Sequence, residues 1–140
     1  MALFAFAKKN DRGKEESDSQ RLTDWLDELL QQKIPEAVKA FSFNLYDDGN
    51  SQWSMELVGT RSFDPADTDW PCDEITDFGS RNRPFVWKRA QNWDRVLEEI
   101  ISVLKTYLET GNHAAVLKSR EGAAVGFVDG DLEILFIRQT

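Results

Sequence analysis

A chain of 140 residues, 41% hydrophobic and 30% charged, fits one domain whose folding buries about two-thirds of the unfolded surface. A single cysteine, Cys72, excludes an intramolecular disulfide, and a single histidine, His113, leaves a conventional zinc site without enough ligands. The net charge of −8 is regional: residues 20–77 hold 13 acids and 4 bases, a net of −9, which leaves the rest close to neutral at +1. That field opposes direct contact with nucleic acid or an anionic membrane and favours a basic partner, while solubility alone is the plainer explanation.

Residues 2–7 (ALFAFA) are too few to span a membrane and lack the preceding basic residues of a signal peptide, so the chain is expected to be soluble and cytoplasmic. Residues 8–20 contain no apolar side chain, which predicts a flexible leader over 1–20 and a single folded domain over 21–140. A first helix is expected over 21–33, with Leu22, Trp25, Leu26, Leu29 and Leu30 on one side, Ser19 as its cap and Pro35 beyond its end. Phe41, Phe43 and Leu45, then Trp53, Met55 and Leu57, alternate around an Asp-Asp-Gly-Asn turn at 47–50 and predict a hairpin. Gly59 is a candidate bulge and Phe63 a candidate extension of the second strand.

Residues 64–83 show little periodicity and read as a long connection, of a length that in compact domains is often functional or mobile. Phe85, Val86 and Trp87 predict a short strand leading into the strongest element, a helix over 92–111. There Trp93, Val96, Leu97, Ile100, Ile101, Leu104, Tyr107 and Leu108 share one side, Asn92 stands at the cap and Gly111 offers a left-handed end. Residues 114–117, 123–128 and 132–137 read as strands, the last two joined through Asp129-Gly130. The nearly continuous apolar run LEILFI (132–137) implies burial on both faces and hence a central place in the sheet. The sum is an α+β domain, a mainly antiparallel twisted sheet of five or six strands with two helices packed on it.

No catalytic or cofactor signature is present: glycine-rich phosphate loops, G-x-S-x-G and H-E-x-x-H are all absent. Cys72 and His113 could form a thiolate and imidazole pair, against the simpler reading of a lone loop cysteine and a helix-end histidine. Asp64, Asp67, Asp69, Asp73, Glu74 and Asp77 put six acids in fourteen residues, but their spacing does not match an EF-hand, and no metal is assigned. Arg81, Arg83, Lys88 and Arg89 form a basic segment expected to pair with neighbouring acids. Trp70, inside the acidic stretch, either folds back to close the core or stands out as an apolar anchor ringed by carboxylates.

The runs FDPADTDWPCDE (63–74) and GFVDGDLEILF (126–136), with the helix that carries Trp93 between them, resemble small acidic bacterial proteins of the kind found as immunity proteins of polymorphic toxin systems. That resemblance implies a protein that binds and blocks a basic toxin domain. The charge and aromatic pattern, read beside it, gives a non-enzymatic protein, monomer or homodimer, with no cofactor, whose partner surface would be Asp64, Asp67, Asp69, Trp70, Asp73, Glu74 and Asp77. A small acidic secretion chaperone and a small enzyme using Cys72 or the acidic loop stay open beside it.

Overall fold

The computed structural model describes residues 17–139. They form α1 (Asp18–Leu29), β1 (Ala40–Gly49), β2 (Gln52–Thr60), a 3-10 turn (Trp70–Cys72), β3 (Glu74–Gly79), β4 (Phe85–Lys88), α2 (Trp93–Thr110), α3 (Ala114–Leu117), β5 (Gly122–Phe127) and β6 (Glu133–Ile137). The strands make one open sheet in the order β3-β2-β1-β5-β6, and β4 shares the outer edge of β2 with β3. β1 and β5 are parallel and every other pair is antiparallel, so the domain is α+β with a mixed, mostly antiparallel sheet.

Strand alternation divides the apolar residues between two faces. Phe41, Phe43 and Leu45 of β1, Trp53, Met55 and Leu57 of β2, and Ala123 and Val125 of β5 join the buried residues of α1 and α2 in one core. Both long helices therefore cover the same face. Their mutual placement is fixed by Asp27, which accepts hydrogen bonds from the Tyr107 hydroxyl at 2.8 Å and the Asn112 amide at 2.9 Å. α1 is tied to the strand beside it by Trp25 against Phe85, with ring centroids 5.9 Å apart, and by the Trp25 indole N–H donating to the Arg83 carbonyl at 2.9 Å. The opposite face of the sheet is closed by a smaller cluster, Ala40, Trp70 and Ala124, with Phe63, Leu132 and Ile134 packed on it.

Several sequence expectations change. α1 starts at Asp18 and is capped by Ser17, whose hydroxyl accepts from the Gln20 N–H, so Ser19 lies inside the helix. The expected leader falls outside the described residues as far as 16, and Asp18, Ser19 and Gln20 are helical. α2 keeps its expected bounds, but the Asn92 side chain makes no capping bond. Gly111 is not left-handed: its φ is −68°, and glycine is required there because a Cβ would lie 2.4 Å from the Tyr107 ring. Trp93, expected on the buried stripe, is 59% exposed, whereas Val103 is buried.

Residues 114–117 are a short helix, α3, rather than a strand. The 64–83 connection contains β3, hidden from periodicity because Val58 pairs with Gly79 while the adjacent Gly59 pairs with Ile75. Thr76, Asp77 and Phe78 bulge out of that ladder, so alternation is interrupted where a strand signal would lie. β6 is an edge strand, and β1 is central. Nor is the apolar run 132–137 buried on both faces: Leu132, Ile134, Leu135 and Phe136 are half-buried and Ile137 is 43% exposed. Leu135 and Phe136 pack on the helix side, and Leu132 and Ile134 pack on the loop side.

Candidate functional site

The acidic stretch after β2 is a closed loop. Thr60 pairs with Glu74, and the Arg61 N–H donates to the Asp73 carbonyl at 2.9 Å, so residues 61–73 leave and re-enter the sheet at one point. Compact surface loops of this kind are packed by their own side chains. Here Phe63 and Trp70 turn inward, edge to face with centroids 4.9 Å apart, onto Ala40 and Ala124. Phe63 lies so close over Gly122 that a Cβ there would sit 2.3 Å from its ring, which is why β5 opens with glycine.

Between these two pins the backbone is held by its own aspartates. Asp64 accepts from the Ala66 N–H at 3.0 Å and Asp67 from the Asp69 N–H at 2.9 Å, as short aspartate side chains do in turns. The Asp69 carbonyl accepts from the Cys72 N–H at 3.0 Å and opens the 3-10 turn.

The seven residues assigned from the sequence to a partner surface therefore separate. Asp64, Asp67 and Asp69 are exposed, and among the described residues none is in an ion pair. Trp70 is 3% exposed, so it closes the core and does not present an anchor to a partner. The reason is area: the open face above Ala40 and Ala124 is apolar and lined by small side chains, and an indole is large enough to cover it. Asp73 pairs with Arg61 at 3.3 Å, and Glu74 pairs with Arg81 at 2.7 Å. Asp77 stands on the β3 bulge at the mouth of a cleft of about 390 Å³ that it shares with Glu74 and Arg81.

A polar network beside the loop carried no sequence signal beyond the polar positions of β1 and β2. Glu56, only 6% exposed, accepts from the Tyr46 hydroxyl and the Asn44 amide on one oxygen and from Arg81 on the other. Asn44 in turn accepts from the fully buried Ser42 hydroxyl at 2.9 Å. These bonds are internal to the chain, so the network joins β1, β2 and the segment after β3 rather than offering an open valence. Of the basic segment, the three arginines pair with acids as the sequence suggests, and Lys88 is in no ion pair among the described residues. Arg81 bridges Glu56 and Glu74, Arg83 meets Glu28 at 3.1 Å, and Arg89 forks onto Glu99.

Cys72 is exposed in the 3-10 turn. His113 caps α3, its backbone N–H donating to the Tyr107 hydroxyl at 3.1 Å. No hydrogen bond among the described residues joins the two side chains. Also among the described residues, no three of His, Cys, Asp and Glu converge to hold a metal ion, and no helix is long and apolar enough to cross a membrane.

The two tyrosines of the chain share one property, a hydroxyl that donates to a carboxylate. Burial, then the bond to Glu56, pushes the Tyr46 phenol from 10 up to about 12. Burial, then the bond to Asp27, raises Tyr107 as well. A raised phenol pKa means that the folded state favours the neutral form. This contribution is complete below pH 10 and is lost as pH climbs through about 12. Ultraviolet titration of the folded protein should therefore show no phenolate step centred on pH 10, and phenolate should appear only higher, together with loss of stability. A tyrosine titrating with an ordinary midpoint would contradict the hydrogen bonds described.

Compared with protein-family models, with curated proteins and with solved structures, the chain finds no match.

Proposed function

We propose that this chain is a non-enzymatic binding protein of the cytoplasm. It would act as an immunity protein that neutralises a basic toxin domain by lying over its functional surface. One observation carries the reading: three exposed carboxylates, at 64, 67 and 69, none in an ion pair among the described residues, stand on a loop whose two aromatic side chains are pinned into the sheet. A loop already ordered in the free protein loses little entropy when it binds, so its charges act at nearly full effect. Long-range attraction raises the encounter rate, and the fixed spacing of the carboxylates selects the orientation of a basic surface. Asp73 and Glu74 add to the field, although each is shared with an arginine of the chain itself.

The test is the triple change Asp64→Lys, Asp67→Lys and Asp69→Lys, used beside the native chain to capture and then titrate a basic partner from the source cells. The variant should keep its circular dichroism spectrum and lose at least tenfold in affinity, mainly through a slower association rate that also falls with added salt. Equal capture and equal affinity by both forms would remove the loop from the interface.

A further inference from the structure

The apolar anchor that the acidic loop lacks stands at the other end of the sheet. Trp93, the first residue of α2, is 59% exposed, and Val128, directly after β5, is 58% exposed. The Trp93 ring meets Phe127 edge to face at 6.1 Å, and Phe127 meets the buried Trp53 at 5.9 Å. The outer indole is therefore backed by an aromatic row that runs into the core, and the backbone directly after Phe127 is held to β1 by the Val128 N–H, which donates to the Leu45 carbonyl at 3.2 Å. An isolated exposed apolar residue is ordinary, but an exposed indole held on an aromatic row makes a rigid apolar patch.

Exposed acids surround this patch. β1 runs parallel to β5 with Leu45 opposite Phe127, so Asp47 and Asp48 leave the sheet at the same end as Asp129 and Asp131 of the β5–β6 turn. Asp94 follows Trp93 on the helix. None of these five carboxylates is in an ion pair among the described residues. The bases nearby are Lys88, at the end of β4 opposite Gln52, Arg89, which is paired with Glu99, and Arg95, which is paired with Glu98 at 3.7 Å. The electron-rich face of an indole attracts a cation, arginine most often, and the attraction grows when water is excluded. Unpaired carboxylates at the rim supply what the rest of a basic segment needs.

We infer that this end of the sheet is a docking surface for an arginine-bearing basic segment of a protein partner, with a guanidinium over Trp93 and flanking cations on Asp47, Asp48, Asp129 and Asp131. The surface does not depend on the acidic loop, which lies at the Thr60 end of the sheet.

The experiment titrates a hexa-arginine peptide into the isotope-labelled full chain at moderate salt, with hexa-lysine and hexa-glutamate in parallel. The expected result is a shift of the Trp93 indole N–H and of the amides at 47–48 and 129–131, with hexa-arginine at least threefold tighter than hexa-lysine and no response to hexa-glutamate. Trp93→Ala should weaken hexa-arginine binding at least tenfold. The Asp64→Lys, Asp67→Lys, Asp69→Lys variant should change it less than twofold in the same shifts. Three results would each overturn the inference: no binding, binding unaffected by Trp93→Ala, or shifts confined to 61–77. Sedimentation of both forms supplies the last check. A concentration-dependent dimer that Trp93→Ala abolishes would assign the face to a second copy of the chain instead.

Discussion

Replacing Glu99 with alanine is expected to lower the unfolding free energy by about 3–5 kcal/mol, the cost of leaving one buried charge without its partner. Glu99 lies on the buried side of α2, next in sequence to Ile100, and is 8% exposed, while the Arg89 side chain is 13% exposed. The guanidinium meets the carboxylate through two nitrogens, with Nε to Oε1 at 3.0 Å. Arg89 also organises its surroundings through the backbone, donating to the Ser51 carbonyl at 2.8 Å and accepting from the Trp53 indole at 2.9 Å. One residue thus ties the β1–β2 turn, the aromatic row under Trp93 and the start of α2. Urea unfolding of Glu99→Ala, Arg89→Ala and the double variant Arg89→Met with Glu99→Leu would measure this. Each single variant should lose more than the double, because two apolar side chains of similar volume leave no orphaned charge. A loss below about 1 kcal/mol for Glu99→Ala would mean that the pair is screened like a surface ion pair.

Trp70→Ala is expected to cost a similar amount, about 3–5 kcal/mol, as large aromatic truncations in well-packed sites do. Its indole is the one large buried side chain over Ala40 and Ala124, and Phe63, Leu132 and Ile134 around it are only partly buried. The indole N–H is buried and has no hydrogen-bond partner among the described residues, so Trp70→Phe gives up area but removes an unpaired donor. That variant should therefore cost much less than the alanine. Hydrogen exchange adds a local readout: the amides of Asp67, Asp69, Cys72 and Asp73, all bonded within the loop, should exchange faster in Trp70→Ala and stay slow in Trp70→Phe. If all four amides keep their protection in the alanine variant, the loop is ordered without its aromatic pin. The preorganised array of carboxylates at 64, 67 and 69 would then need another explanation.

The elements written most plainly in the sequence are those whose partners are close along the chain. The stripe from Val96 to Leu108 produced α2, the alternations around 47–50 produced the β1–β2 hairpin, and Asp129-Gly130 produced the β5–β6 connection. The failures share a cause in distant contacts. Residues 114–117 could read as strand because four apolar residues fit either period, and the tight turn after Gly111 decided for helix. β3 was missed because its bulge interrupts the alternation. The spacing of Trp93 fits the buried stripe, yet its ring rests edge to face on Phe127 at the end of β5 and stays 59% exposed.

The candidate surface divides in the same way. Sequence alone determined that the acids of 64–77 are dense and that aromatic residues lie among and beside them, since charge and composition are properties of the chain. It could not say which acids are free. Arg61 comes to Asp73 and Arg81 comes to Glu74 and Glu56 only when β2 and β3 are laid side by side. Nor could it choose between Trp70 and Trp93 as the exposed indole. An indole is buried when some other part of the fold offers an apolar floor of matching size. That floor, Ala40 and Ala124 on two neighbouring parallel strands, exists only after β1 and β5 pair across about eighty residues of sequence.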